Sequence, residues 1–549
     1  MIILNTSVIR FSSIFVAMSL QLVAGRAVGS HAPRQNSNIS WFTCPDSDTT
    51  QCAFFDVPRD YSNPSENDTV SIFMRKLPAT ASEGERLGTI LTNPGGPGGS
   101  GNTYVLGASG KRMQAITEGR YDLIGFDPRG VNLTGPWPSC FDQEAKSVLL
   151  DLKRAFNGLP YPHSSFDVDR AVVNRVSAMQ AGSNAACVQN GDRRMLESIG
   201  TAFVVQDIVR IFEALEEDGV NFWGFSYGTI LGATLAAMRP DVVKRVVLDG
   251  VSDAELYFDD VWQWGIDSMG DTNKTYAGFL STCAEAGPEL CAFAKPPAGS
   301  NETQTTERLR KRLGSLLERL GKNPIVVADS STGPGIYTAS DLQQSLLTTL
   351  YSPKLWSRIM QVLPVIEQGN AQAAYDALYG SLLDLKYEPY DQNAFNRSMQ
   401  QYGFQESLRM ILCSDAAPTN ISVDAHTKYF RDIGQISPIG ETWASIFGFC
   451  NGWSFRSSQR YTGPWTTAKG LKKTRFPILF MSLDADPVTP LSTAVKMAKG
   501  FGNESASLLV QKGFGHCTTA HPSLCTYKHV RDYFIDGKVP ANGTYCTPE

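Results

Sequence analysis

The chain has 549 residues, 42% of them hydrophobic and 19% charged, with a formal net charge of −5. That make-up describes an ordinary globular protein able to bury a large core, and it argues against a nucleic-acid binder. Length alone admits either several average domains or one enlarged catalytic domain.

At the start, Arg10 precedes an apolar run from Phe11 to Val23, and small residues follow at Ala24, Gly25 and Ala27. The pattern reads as a secretory signal peptide over residues 1–27, because the run is well short of the roughly 20 residues that span a bilayer. No later segment is apolar enough to span a membrane, so a soluble mature product with no membrane attachment is expected. Sequons at Asn38, Asn67, Asn132, Asn273, Asn301, Asn396, Asn420, Asn503 and Asn542 agree with export and mark candidate glycosylation sites. The eleven cysteines agree as well. Cys44 with Cys52 and Cys283 with Cys291 have the spacing of small disulfide loops, and Cys140 with Cys187 and Cys413 with Cys450 are plausible longer bridges. Cys517, Cys525 and Cys546 leave one thiol over; Cys525 with Cys546 is the preferred pair, although spacing alone does not fix connectivity. No C-x-x-C or His/Cys cluster has ligand spacing, so no metal is expected.

From Trp41 to Pro78 the chain reads as short antiparallel strands, including Cys52–Val57 and Thr69–Met74, separated by Pro, Asn and Asp turns. Apolar strands then recur at β-α spacing: Leu87–Thr92, Tyr121–Phe126, Val220–Phe225 and Arg245–Asp249. Continuous apolar strands alternating with helices predict a mostly parallel sheet covered on both faces. The rhythm stops after Gly250 and returns near Phe476–Met481. Between them the pattern is helical, with Leu309, Leu313, Leu316, Leu317 and Leu320 on one face and further helices over Asp341–Leu350 and Trp356–Ile366. An interval this long is too large for a loop and predicts an inserted helical cap. Pro296–Asn301 and Ser330–Gly335 are expected junctions within it. The expected division is a first core part over 40–250, a cap over 251–470 and a second core part over 471–549.

Gly224-Phe225-Ser226-Tyr227-Gly228 follows the strand Val220–Phe225 and precedes a segment of helical composition that stops before Pro240. A serine at such a turn is held with its hydroxyl exposed, in the manner of a nucleophile elbow. Serine needs a base and an orienter for that base. Asp484 and Asp486 lie at the end of the strand near Leu483, and His516 follows the strand Ser507–Gln511 in the context Gly513-Phe514-Gly515-His516. Asp486 is preferred over Asp484 because it opens a proline-bounded turn farther past the strand. The loop Asn93–Gly101, with glycines at 95, 96, 98, 99 and 101, follows Leu87–Thr92, where backbone donors for an oxyanion are expected. Gly96 and Tyr227 are the candidate donors. Neither a phosphate-binding loop nor an uninterrupted dinucleotide fingerprint is present, and the mechanism requires no cofactor.

Taken together, Asn93–Gly101, Asp127-Pro128-Arg129-Gly130, Gly224–Thr229, Leu248-Asp249-Gly250-Val251, Asp486–Pro490 and Gly515-His516 resemble the secreted tripeptidyl aminopeptidase family. These are relatives of proline iminopeptidase within the α/β-hydrolases. The resemblance runs from about residue 40 to the end, with a family-like terminal region from about Thr442. It implies an α/β-hydrolase fold and a serine exopeptidase acting at free N-termini of peptides, with Ser226 as nucleophile, His516 as general base and Asp486 as orienter. An esterase or other acyl hydrolase using the same triad is the alternative, and a non-catalytic binding relative is a third reading. Family members hold the substrate amine with acids in the cap, for which Glu255, Asp259, Asp260 and Glu285 are candidates. Cys517 departs from the family pattern by placing a thiol beside His516, and Asn132 stands where related hydrolases continue Arg-Gly-x-Gly, so it reads as a sequon. The partner expected is a peptide or small acyl substrate. Nothing in the sequence speaks to oligomeric state.

Overall fold

The computed structural model describes residues 39–141, 144–160, 168–379, 403–447 and 450–548. The segment read as a signal peptide and the sequons at Asn38 and Asn396 lie outside them. Twelve strands occur among the described residues, in chain order β1 (Phe42–Cys44), β2 (Ser47–Pro58), β3 (Thr69–Leu77), β4 (Thr89–Asn93), β5 (Asp122–Phe126), β6 (Val220–Phe225), β7 (Val243–Asp249), β8 (Ile325–Val327), β9 (Gly335–Tyr337), β10 (Ile478–Ala485), β11 (Ala506–Phe514) and β12 (Thr544–Cys546). Ten form one sheet in the order β1-β2-β3-β5-β4-β6-β7-β10-β11-β12; β8 and β9 form a separate hairpin. Pairings from β1 to β5 are antiparallel, and those from β5 through β4 to β12 are parallel.

The middles of the parallel strands are mostly apolar because both faces are covered. Phe222, Leu248 and Phe480 enter one core, while their neighbours Trp223, Val247, Leu479 and Met481 enter the other. A period of two divides each strand between two helical layers. The expected helices form as Thr306–Lys322, Ala339–Leu350 and Trp356–Glu367, and all five leucines of the first are buried. Its charged face points to water, as amphipathic spacing requires.

Long helical segments lie between β7 and β10, and the helices Glu144–Asn157 and Arg170–Asn190, which follow β5, pack with them. Ser177 Oγ meets His426 Nδ1 at 2.9 Å, and Asn184 Nδ2 donates to the Asn451 carbonyl at 2.9 Å. Bridges Cys44–Cys52, Cys140–Cys187, Cys283–Cys291, Cys413–Cys450 and Cys525–Cys546 are formed, and Cys517 is a buried free thiol.

The Asp-Pro-Arg-Gly segment after β5 carries a buried ion pair. Arg129 donates from Nε and Nη2 to Asp207 at 2.8 and 2.7 Å, from Nη1 to the Arg59 carbonyl at 2.7 Å and from Nη2 to the Pro58 carbonyl at 2.6 Å. Tyr61 completes the carboxylate with a 2.7 Å bond. Both partners are buried, so removing one strands the other charge. Arg129→Met is expected to lower unfolding free energy by about 3–5 kcal/mol in denaturant titration; a loss below about 1 kcal/mol would mean that Asp207 finds solvent or a proton instead.

Candidate active site

The loops after β4, β5, β6, β7, β10 and β11 all open at the carboxyl edge of the parallel strands, where α/β sheets place their ligands. Ser226 follows β6 directly and adopts φ 55°, ψ −124°, a conformation costly for a non-glycine residue. It is held there from three sides. Its N–H donates to the Asp249 carbonyl at 3.0 Å. A Cβ on Gly228 would lie 2.5 Å from the Asn93 carbonyl oxygen, and one on Gly95, itself at φ 96°, would lie 2.8 Å from Ser226 Cβ. The elbow and the glycine loop therefore close on each other with no room for side chains between.

The helix Tyr227–Met238 starts at the residue after the serine, so the Tyr227 N–H has no carbonyl one turn back to receive it. In the loop after β4, the Gly95 N–H is taken by Asn93 Oδ1 at 2.9 Å, and the candidate donor Gly96 is the next residue. Asp127 anchors the far end of this loop. It accepts from Ser100 Oγ at 2.6 Å and from the Asn102 and Leu133 N–H groups at 3.3 Å, while Ser100 caps the following helix through the Thr103 N–H at 3.1 Å. Asn132 Nδ2 also reaches Asp127, at 3.1 Å, and the residue is 1% exposed. The sequon reading of Asn132 is thereby corrected: its amide is consumed inside the fold and no glycan could be accommodated. Asn67, Asn273, Asn301, Asn420, Asn503 and Asn542 are exposed.

Asp486, fully buried after β10, meets His516 Nδ1 with both oxygens at 3.1 Å. It also accepts from the N–H groups of Val488, Thr489 and Cys517 at 3.0, 2.9 and 2.8 Å. Burial alone would raise its pKa, but the imidazole and these donors outweigh burial and hold it below the usual carboxylate range. Asp484 is occupied elsewhere, by the Gly513 N–H at 2.9 Å and the Tyr545 hydroxyl at 2.8 Å. His516 is clasped by the cap: its N–H donates to the Tyr351 carbonyl at 2.8 Å, and the Tyr351 ring stands edge-on at 4.9 Å. Cys517 is turned inward, with Sγ 3.4 Å from the Asp249 carbonyl oxygen, and burial pushes its thiol well above the usual value, so it stays neutral.

Two further buried carboxylates carried no role in the sequence reading. Asp249 binds Thr518 through its N–H at 2.8 Å and hydroxyl at 2.7 Å, fixing the residues after His516. Asp415, at the end of the cap helix Phe404–Asp415, accepts from the Thr201 hydroxyl at 2.6 Å and the Tyr257 hydroxyl at 3.1 Å, and Thr201 meets the Tyr227 hydroxyl at 2.7 Å. Asp249 sits in Leu-Asp-Gly-Val, a visible signal, whereas Asp415 has none.

Ser226 and His516 face one cavity of about 510 Å³, with Gly96 in its floor and Tyr351, Phe404, Leu408 and Trp443 in its cap-side wall. The candidate amine-binding acids are elsewhere. Glu255 pairs with Lys469 and Lys496 at 2.8 and 3.1 Å, and Asp260 caps the helix Val261–Asp267 through the Trp262 and Gln263 N–H groups at 3.1 and 3.0 Å. Asp259 and Glu285 are exposed, and none of the four lines the cavity. Glu255 thus serves surface pairing and Asp260 helix capping. Chemically, the arrangement can pass a serine proton to an imidazole whose far nitrogen is fixed by a carboxylate.

Burial raises Asp127 and Asp415 to about 6, Asp249 to about 7 and Glu441 to about 8. Unfolding returns these groups to ordinary carboxylate values, so above about pH 4 the folded protein holds protons that the unfolded chain has lost, and stability falls as pH rises through their folded values. His426, lowered by burial to about 4, and His521, lowered in the same direction by burial, act oppositely up to the ordinary histidine range, but they are two groups against these four carboxyls. Asp486 contributes stability that is lost only on acidification below the ordinary carboxylate range. The thermal midpoint is expected to be higher near about pH 5.5 than near pH 8; scanning calorimetry showing the reverse would mean that these carboxyls are ionised in the fold.

The family described as TAP-like protein matches residues 435–546. The serine protease Hip1 of Mycobacterium tuberculosis H37Rv is 26% identical over 539 residues, 96% of this chain and 94% of that protein. The tripeptidyl aminopeptidase of Streptomyces lividans is 25% identical over 505 residues, 91% of this chain and 84% of that protein. A protein named carboxylesterase B from Mycobacterium tuberculosis H37Rv is 26% identical over 539 residues, 96% of this chain and 92% of that protein. With its mostly parallel sheet, serine elbow and these similarities, the chain is a serine hydrolase of the α/β-hydrolase fold whose relationships lie with the tripeptidyl aminopeptidase family.

Proposed function

We propose that the protein is a serine exopeptidase that cleaves peptide bonds near free N-termini through an acyl-enzyme on Ser226. The observation that carries this reading is the single cavity in which Ser226 and His516 meet beneath cap residues Tyr351, Phe404 and Trp443. A roofed site favours chain ends over the interior of a folded polypeptide. Similarity to proteins named tripeptidyl aminopeptidase and serine protease supports the peptide substrate.

In the proposed reaction, Ser226 Oγ attacks the scissile carbonyl carbon and gives its proton to His516 Nε2, while Asp486 holds Nδ1 and stabilises the imidazolium. The carbonyl oxygen becomes an oxyanion facing the N–H groups of Gly96 and Tyr227. Collapse breaks the C–N bond, and His516 returns the proton to the leaving amine. Water then repeats the sequence on the ester, releasing the N-terminal fragment and restoring the serine. The five disulfides and the exposed sequons support action in an oxidising, extracellular compartment.

The second reading is an ester hydrolase, favoured by the aromatic lining at Tyr104, Tyr351, Phe404 and Trp443 and by the carboxylesterase-named relative. Ser226→Ala is expected to reduce turnover of free-amino peptide anilides by about 10⁴-fold or more without changing the circular dichroism spectrum. Retained peptidase activity would remove Ser226 from the chemistry. Wild-type protein that turns over p-nitrophenyl esters but cleaves no peptide, free or N-blocked, would select the esterase reading.

A further inference from the structure

The cap lays two apolar faces on the catalytic cavity. Phe404 and Leu408 are four apart on the helix Phe404–Asp415, and Trp443 and Ile446 are three apart on the helix Gly440–Phe447, spacings that put each pair on one side of its helix. All four line the cavity that Ser226 and His516 share. Leu408 and Trp443 are buried, while Phe404 and Ile446 are half-buried.

The glycine loop sets where this wall stands relative to the reacting atoms. Gly96 and Gly98 adopt φ of 114° and 98°, and the helix Phe404–Asp415 lies directly on them. A Cβ on Gly96 would be 3.1 Å from Phe404 Cε2, and one on Gly98 would be 2.9 Å from the Leu408 nitrogen. The Phe404 ring therefore rests on the residue whose N–H is the candidate oxyanion donor. Tyr351 stands instead beside the imidazole, with its ring 4.9 Å away. A carbonyl in position for attack by Ser226 has its oxygen at Gly96 and its leaving group at His516. The substituent left to lie along the wall next to Gly96 is the acyl side chain. Against these four residues an apolar side chain gains by leaving water, whereas a charged one loses its hydration.

Building on the exopeptidase reading, we propose that the two faces form the subsite for the residue whose carbonyl Ser226 attacks, and that they select a large apolar side chain there. Phe404 is the specificity-determining contact, because its ring is the one seated on Gly96. The selection concerns that side chain alone; in a three-residue acyl chain the free amine lies two residues farther along.

The test uses the full-length protein and p-nitroanilides of Ala-Ala-Xaa with a free N-terminus, where Xaa is Ala, Leu, Lys or Glu. p-Nitrophenyl acetate and hexanoate supply acyl groups with no amine. The leaving group is constant within each series, so only the acyl side varies. Wild type is expected to favour Leu over Ala by about 10-fold or more in kcat/KM, to place Lys and Glu below Leu, and to favour hexanoate over acetate. Phe404→Ala and Ile446→Ala should each lower the Leu-to-Ala ratio by about 5–10-fold. The ratio is internal to each variant, so a smaller folded fraction does not alter it; if Phe404→Ala yields no folded protein, Ile446→Ala reads the same quantity. Peptide cleavage with Leu no better than Ala, with Lys or Glu equal to Leu, or with a ratio that Phe404→Ala leaves unchanged overturns the subsite and leaves the exopeptidase reading standing. Ester turnover with a hexanoate preference that the variants lower, but no peptide cleavage, keeps the subsite and overturns the exopeptidase reading. Ester turnover with neither peptide cleavage nor a chain-length preference overturns both.

Discussion

The site depends on keeping one non-glycine residue, Ser226, at a positive φ. That conformation costs on the order of 1–3 kcal/mol and persists only where its surroundings allow no alternative. Here the surroundings are the ends of β4 and β7. Asn93 blocks outward movement at Gly228, Gly95 lies against the serine itself, and the Asp249 carbonyl receives its N–H. The same three contacts fix the distance between the serine and the glycine loop, so the constraint that strains the backbone also sets how Gly96 and Tyr227 stand to each other.

A set of buried carboxylates extends that order outward. Asp127 ties the glycine loop to the turn after β5, Asp249 ties the elbow strand to the segment after His516, and Asp415 ties the cap to Tyr227 by way of Thr201. Asp486 differs from these three in facing an imidazole, and this is why burial leaves it ionised while it raises the others. Stability and site geometry therefore draw on the same groups.

Most of the sheet was legible because strands buried on both faces must be largely apolar: Ile478–Met481 is so throughout and Val220–Phe225 is so but for the buried Asn221. Ser226, Asp486 and His516 were legible because each follows such a strand within a few residues. The second half of the cap was not. The helix Arg170–Asn190 buries Gln180, Ser183 and Asn184 beside Val172 and Val173, so its inner face has no apolar signature, and no periodicity says what a helix will pack against. The sequon at Asn132 misled for a related reason: a three-residue pattern carries no information about burial. Glu255 and Asp260 looked available to a substrate, yet they satisfy nearby lysines and a helix end, local demands that sequence composition does not display.

The grip of Tyr351 on His516 gives the cap a second office. Its carbonyl and ring hold the backbone and the imidazole of a residue that belongs to the core sheet, so the roof and the proton acceptor are mechanically one piece. From the other side Asp486 and Thr489 meet the same imidazole at 3.1 and 3.3 Å. His516 is therefore a rivet between the two layers, and the seating of Tyr351 on the sheet is recorded in the position of one ring.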